Sequence, residues 1–321
     1  MKNPYTMKLD DIGFYTLSEK RLQPHDNLSR CEYVLTDRCN FNCAYCRHVG
    51  CEFKLQQVRQ VLDGWEQHKL DAVRFSGGEP TLYGDIYRVL EYSNGKFKHI
   101  AVSTNGSAQW SVYKKFIKLG VNDFSISLDV CCASDGDHMA GNIPGAFKKV
   151  VKNIKRISEH VYVTVGVVLN EENTHRINDI IAFADTLGVS DIRVIPAAQK
   201  GSKITEINID QRLLDKYPIL RYRYNNFKND IPVRGISDKD SCRCPIALDD
   251  MAVTGDCHYP CIIYLREGGQ PIGSIRKPMC DVLADRKQWF LQHNTKCDAI
   301  CSKNCLDCIV LYNNKWAAAN P

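Results

Sequence analysis

The sequence predicts an α/β fold, a partial (β/α)6 TIM-type barrel over residues 31–200 with a small cysteine-rich domain over 236–321. Three observations predict it. Short β-branched runs alternate with helix-period segments from residue 31 to about 197, the alternation then fades, and nine of the 16 cysteines fall between Cys242 and Cys308. Strands are expected at CEYVLT (31–36), AVRFS (72–76), HIAVST (99–104), DFSISLD (123–129), VYVTVGVVL (161–169) and DIRVIP (191–196). In the last connection Ile177, Ile180, Ile181, Ala184 and Leu187 recur at spacings of three and four, with Gly188 where a helix would end. Phe147, Val150, Val151, Ile154 and Ile157 repeat the pattern after Pro144. Strands separated by helices pair in parallel through right-handed crossovers, which gives an open or partial barrel. Residues 1–30 read as an N-terminal extension and 201–235 as a polar connector.

Composition narrows the chemistry. The chain has no basic start followed by an apolar run and no apolar stretch near the roughly 20 residues of a membrane span, so a cytoplasmic location without membrane is expected. In a reducing compartment, thiols serve metals or redox chemistry more readily than disulfides. A net charge of +5 is mild and favours an anionic partner without demanding nucleic acid. RYRYNNFK (221–228) interleaves basic and aromatic residues as an RNA-binding strip does, and equally as a solvated helix or strand face does.

In parallel α/β folds catalytic groups collect where strands end and loops begin. Here those exits read TDRCNFNCAYC, SGGEPT, STNG, SLDVCCASDGD, LNEEN and PAAQ. The first holds Cys39, Cys43 and Cys46. Chance gives roughly 0.04 copies of this spacing in a chain with about 5% cysteine. An iron–sulfur cubane takes one thiolate per iron, so three thiolates leave one iron open to a substrate or cofactor. A structural zinc site is the alternative and needs a fourth ligand, for which Cys51, His48 or Cys31 is available.

At these residues the sequence resembles the radical S-adenosylmethionine (SAM) enzymes, whose signature is C-x3-C-x2-C with an aromatic residue, here Tyr45, before the last cysteine. GGEP (77–80) follows the second strand as it does in that family. The resemblance implies that Cys39, Cys43 and Cys46 hold a [4Fe–4S] cluster that chelates SAM. It implies that Gly77, Gly78 and Glu79 meet the methionyl amino group, with glycine allowing close backbone approach and Glu79 accepting from the ammonium. Ser103, Asn105, Ser127, Asp129 and Asn170 fall where the family binds the carboxylate and ribose of SAM; each could instead cap a helix or turn. A reduced cluster, fed by a flavodoxin- or ferredoxin-type donor, would cleave SAM to methionine and a 5′-deoxyadenosyl radical that abstracts a substrate hydrogen.

CRCPIALDDMAVTGDCHYPC (242–261) and PIGSI (271–275) resemble the start of the auxiliary-cluster domains called SPASM, or twitch in the shorter form. Cys244, Gly255, Cys261 and Gly273 fit that pattern, with one extra residue before Cys261. One cubane needs four ligands, and the economical set is Cys244, Cys261, Cys305 and Cys308, with Cys301 the main substitute. Zinc is the alternative there, since C-x2-C pairs bind either.

Cys131 and Cys132, just beyond the fourth strand, are candidate hydrogen-atom donors to a substrate radical, and would make the enzyme an isomerase or epimerase. As small buried hydrophobes they would do nothing of the kind. An auxiliary cluster accepting an electron would instead make it an oxidoreductase. Only 30 residues precede the first strand, too few for the peptide-recognition domain of many relatives, so a small polar metabolite such as a sugar, aminoglycoside or nucleoside leads. Modification of a ribosomally made peptide and of a nucleic-acid base stay open. A non-catalytic electron carrier or sensor would explain the cysteines but not GGEP in register.

Overall fold

Successive side chains of a strand point to opposite faces of the sheet, and that alternation sets the architecture. The computed structural model describes residues 28–47, 51–198 and 207–320. Strands β1 (Arg30–Val34), β2 (Ala72–Ser76), β3 (His99–Thr104), β4 (Asp123–Ser127), β5 (Tyr162–Leu169) and β6 (Asp191–Pro196) pair in parallel, each with the next in the chain. Cys31, Tyr33, Val73, Phe75, Phe124 and Ile126 face outward into one buried core. Their neighbours Arg30, Glu32, Arg74, Ser76, Asp123 and Ser125 line the inner, concave side. The fourth run stops at Ser127 rather than 129 because Asp129 leaves the ladder to accept a hydrogen bond from Val168 N at 2.6 Å.

Helices α1 (Leu55–Gln67), α2 (Ile86–Ser93), α3 (Trp110–Lys118), α4 (Ala133–Met139), α5 (Ala146–Ser158) and α6 (Ile177–Asp185) fill the connections. Val150, Ile154 and Ile157 bury one face of α5, and Ile177, Ile180, Ile181 and Ala184 bury one face of α6. Such stripes gain roughly 1.5–3 kcal/mol per large apolar side chain removed from water, and hold the helices on the outer face of the sheet.

The stretch expected as a polar connector contains two helices. It forms α7 (Gln211–Lys216) and α8 (Pro218–Lys228), and α8 packs on β6, completing the sixth strand–helix unit. Its polarity misleads because two of its buried residues, Arg223 and Asn226, are polar. RYRYNNFK is therefore helical, and Arg223 is fully buried 3.0 Å from Asp307.

Beyond lie α9 (Ile246–Asp249), β7 (Asp250–Thr254), β8 (Cys257–Tyr259), α10 (Ile262–Arg266), β9 (Gly273–Ser274), α11 (Met279–Gln292), α12 (Ala299–Asn304) and α13 (Asp307–Ala319). β7 pairs in parallel with β1, Arg30 against Asp250, and β8 and β9 follow antiparallel, so one sheet of nine strands runs through both regions. Gly255 lies in the turn of the β7–β8 hairpin, between Thr254 and Cys257. No helix among the described residues is long and apolar enough to cross a membrane.

Candidate active site

The chain leaving β1 is stitched to the chain leaving β2. Leu35 N donates to Ser76 O at 2.8 Å, Gly78 N to Thr36 O at 2.8 Å and Glu79 N to Arg38 O at 2.7 Å. A Cβ at Gly77 would stand 2.5 Å from Thr36 O, and one at Gly78 would stand 2.4 Å from Arg38 O. The close approach expected of these glycines to a ligand is thus also an approach to the backbone that carries Cys39. Glu79 is fully buried and lies outside the cavity lining. Its carboxylate accepts from Thr81 N (3.0 Å), Thr104 Oγ1 (2.9 Å) and Asn105 N (2.7 Å). It ties the β3 exit to GGEP, and in this arrangement its hydrogen bonds go to the fold.

Cys39, Cys43 and Cys46 open on one cavity of about 420 Å³ that descends through the barrel. Cys39 Sγ accepts from Phe41 N at 3.4 Å and faces Asn105 Nδ2 at 3.8 Å. Burial pushes the Cys43 thiol up to about 12, with Asp129, Cys46 and Cys39 adding to it; burial also raises Cys39, with Glu79 and Cys46 contributing. Thiolates that repel one another this way suit a shared cationic centre, so the donor set fits an iron–sulfur cluster. Of the alternative zinc ligands, Cys31 is buried in the core, and His48 lies outside the described residues.

Gly77, Gly78, Ser103, Asn105, Ser127, Asp129 and Tyr45 line the same cavity. Tyr45 hydroxyl donates to Asp129, tying the cysteine loop to the β4 exit. Burial pushes Asp129 up to about 6, against the hydrogen bonds from Tyr45 and Val168 N. Ser103 receives Arg74 Nη1 at 3.0 Å. Asn170 is not brought to the cavity: its Oδ1 accepts from Glu172 N (2.8 Å) and Asn173 N (3.2 Å), closing a turn. Cys131 and Cys132 do not line the cavity either. Arg176 reaches both thiols, at 3.0 and 3.6 Å, while pairing with Asp135 at 2.6 Å, so the expected donors face a guanidinium.

Sequence reasoning missed the cavity floor. Arg30 pairs with Glu32 (3.2 Å) and Asp250 (3.5 Å), and Arg74 with Asp123 (3.2 Å), which also meets His99 at 3.0 Å. Charges at every second position of parallel strands, as in RCEYV and DIRVIP, were the available signal. A parallel sheet covered on both faces reads as continuously apolar.

In the C-terminal region Cys244, Cys261, Cys301 and Cys305 line one small second cavity. Cys308 does not. It packs with Val233 and Leu306, while Cys301, the expected substitute, lines that cavity. Burial pushes Cys244 up to about 12 and Cys261 up to about 11, and Cys305 is raised by burial and then by Cys244, Cys261, Cys301 and Cys308. A further trio, His293, Asp298 and Cys301, has ligand atoms within 4.8 Å. Asp298 also caps α12, accepting from Ile300 N (2.9 Å) and Cys301 N (2.8 Å), and receives Tyr264 hydroxyl at 3.0 Å. Cys261 lines both cavities.

An open parallel barrel with three thiols at its mouth defines a class of enzyme that holds a cluster with one uncommitted iron above a buried substrate. Comparison with known proteins agrees, for residues 33–184 match the family model described as Radical SAM superfamily. Residues 33–184 thus carry a radical SAM domain, similar to a superfamily whose members bind a [4Fe–4S] cluster and SAM. The chain is 26% identical over 165 residues to AdoMet-dependent heme synthase of Nitratidesulfovibrio vulgaris, covering 49% of this chain and 44% of that one. It is 25% identical over 254 residues to the antilisterial bacteriocin subtilosin biosynthesis protein AlbA of Bacillus subtilis, covering 73% and 55%. Streptococcus suis SuiB bound to S-adenosylmethionine shares the fold, with a TM-score of 0.59 at 16% identity over 89% of this chain and 68% of that one. The chain spans about half the length of the curated relatives it matches.

Proposed function

We propose that this chain couples reductive cleavage of SAM to oxidation of a small polar molecule held in the barrel. The observation that carries this reading is Cys261, which lines the barrel cavity and the four-thiol cavity together. When bound, the cluster and SAM at the mouth supply one-electron reduction and hydrogen-atom abstraction, and a cluster at the four thiols supplies an electron sink. Cys39, Cys43 and Cys46 hold the first and Cys244, Cys261, Cys301 and Cys305 the second. Gly77 and Gly78 offer backbone, and Asn105, Ser127 and Asp129 offer polar atoms, toward SAM. Phe41, Met139 and Phe147 wall the mouth and keep water from the reacting centre. With both groups bound, the substrate would lose one hydrogen atom, one electron and one proton, a net two-electron dehydrogenation for which the four-thiol site would supply the electron sink. A flavodoxin- or ferredoxin-type protein supplies the electron that starts each turnover. Cys131 and Cys132, facing Arg176, support a thiol-dependent inversion less well.

The test is anaerobic incubation of reconstituted protein with SAM, reductant and the low-molecular-weight fraction of a cell extract. We expect 5′-deoxyadenosine to form, and a metabolite with two hydrogens fewer to appear. The Cys39→Ala, Cys43→Ala, Cys46→Ala variant should make neither. Product of unchanged mass would point to epimerisation and overturn the oxidative reading. Peptide modification is the second reading, favoured by the likeness to AlbA over 73% of the chain. Activity that appears only with the peptide fraction would replace the first reading by it.

A further inference from the structure

Most charges inside the barrel are balanced by a neighbour of opposite sign. Glu32 and Asp250 meet Arg30, Asp123 meets Arg74 and His99, and Asp307 meets Arg223. Two cavity-lining guanidiniums break the rule. Among the described residues, no carboxylate lies within the 4.0 Å ion-pair distance of Arg193 or Arg234. Arg193, on β6, has only Nη2 engaged, 3.2 Å from Ser125 Oγ, while its Nε is buried without a hydrogen-bond partner. Gly166 on the adjacent β5 leaves room for it, since a Cβ there would stand 3.4 Å from Nη2. Arg234 is fixed to the end of the same strand, Nε donating to Pro196 O at 2.9 Å and Nη1 to Asn304 O at 3.2 Å.

We propose that the substrate carries an anionic oxygen group, a carboxylate or a phosphate, and that Arg193 and Arg234 bind it along β6. The proposal rests on the reading that the barrel cavity is a substrate site. Its physics is the cost of a buried cation left without a counter-ion, which an incoming anion offsets. The planar guanidinium fork matches both carboxylate and phosphate in paired hydrogen bonds. Burial, then Arg74 and Arg223, push Arg193 down to about 10; burial, then Arg47 and Arg223, do the same to Arg234. Both therefore sit in a locally positive field that an anion relieves. The charge also narrows the substrate class: a neutral sugar would leave both guanidiniums unpaired.

The test is equilibrium dialysis of reconstituted, SAM-loaded protein against labelled inorganic phosphate and labelled acetate. Wild type should bind at least one probe saturably, and the tighter of the two names the group. Arg193→Gln with Arg234→Gln should weaken that binding by at least about tenfold, as truncating one side of a buried charge pair does. Arg193→Lys, which keeps the charge in a similar volume, should lose less and guards against a folding defect. Failure of wild type to bind either anion, or equal binding by the double variant, would overturn the proposal. So would a parallel fall in SAM affinity in that variant, which would make the partner SAM's own carboxylate. Absence of SAM cleavage by wild type would instead count against the proposed function, because the dialysis does not depend on turnover.

Discussion

A methyl group at position 78 would stand 2.4 Å from Arg38 O and 2.6 Å from Asp37 O, closer than any non-bonded carbon and oxygen tolerate. Both obstacles are backbone, and that backbone leads directly into Cys39. Gly78→Ala should therefore cost about 1–3 kcal/mol, as overpacking does, and should push the cysteine loop away from its cavity. Thermal denaturation of the reconstituted protein and its iron content should fall together, whereas Gly84→Ala, with nothing within 4 Å, should leave both near wild type. A Gly78→Ala protein with full iron and an unchanged midpoint would show that the loop yields freely. The motif was legible at this scale, but its mechanics were not. Spacing shows that GGEP follows a strand, while the partners of Gly78 and Glu79 come from the exits of β1 and β3, distant in the chain. Asn170 and the adjacent cysteines lie off the cavity for a related reason. Position at a strand exit does not say whether a side chain turns inward, and local partners, two backbone amides and Arg176, decide it.

Element by element, β2, β3 and β6 begin and end where their β-branched runs do, because each run is bounded by residues that turn the chain. The polar inner faces were written in the same runs, as the alternation in AVRFS and DFSIS, and an open barrel is what lets parallel strands keep charges inside. The auxiliary ligands were less legible. Cys301, Cys305 and Cys308 are spaced like turns of one helix, yet α12 ends at Asn304, Cys305 is extended at φ −55°, ψ 133°, and α13 starts at Asp307. That break turns Cys301 and Cys305 to one cavity and leaves Cys308 among Val233 and Leu306. Reconstituted Cys301→Ala should thus hold about 4 irons against about 8 for wild type, while Cys308→Ala should keep about 8. The reverse pattern, with iron lost only from Cys308→Ala, would mean the ligand set ends in C-x2-C after all.

For the molecule as a whole, the separate C-terminal unit suggested by cysteine density shares a sheet and a buried charge with the barrel. Pairing of Arg30 with Asp250 joins residues 220 apart, and no local pattern announces such a register. RYRYNNFK could not announce its role either, because the acid that Arg223 faces is the first residue of the last helix. Arg223 on α8 is fully buried 3.0 Å from Asp307, and Asn226 Nδ2 donates to the same carboxylate at 2.7 Å. Burial raises the Asp307 carboxyl, while Arg223 and Asn226 act against that rise. Removing one leaves the other as an uncompensated charge between barrel and tail, at about 3–5 kcal/mol, whereas removing both leaves only a packing defect. Arg223→Met and Asp307→Asn should each lower the urea midpoint of the reconstituted protein sharply, and the double variant should lose much less than the two effects combined. Iron at Cys244, Cys261, Cys301 and Cys305 should drop with the single variants before iron at the barrel mouth does, since α13 follows directly on the ligand loop. Strict additivity in that cycle would show that the two regions are held together by the β1–β7 seam alone.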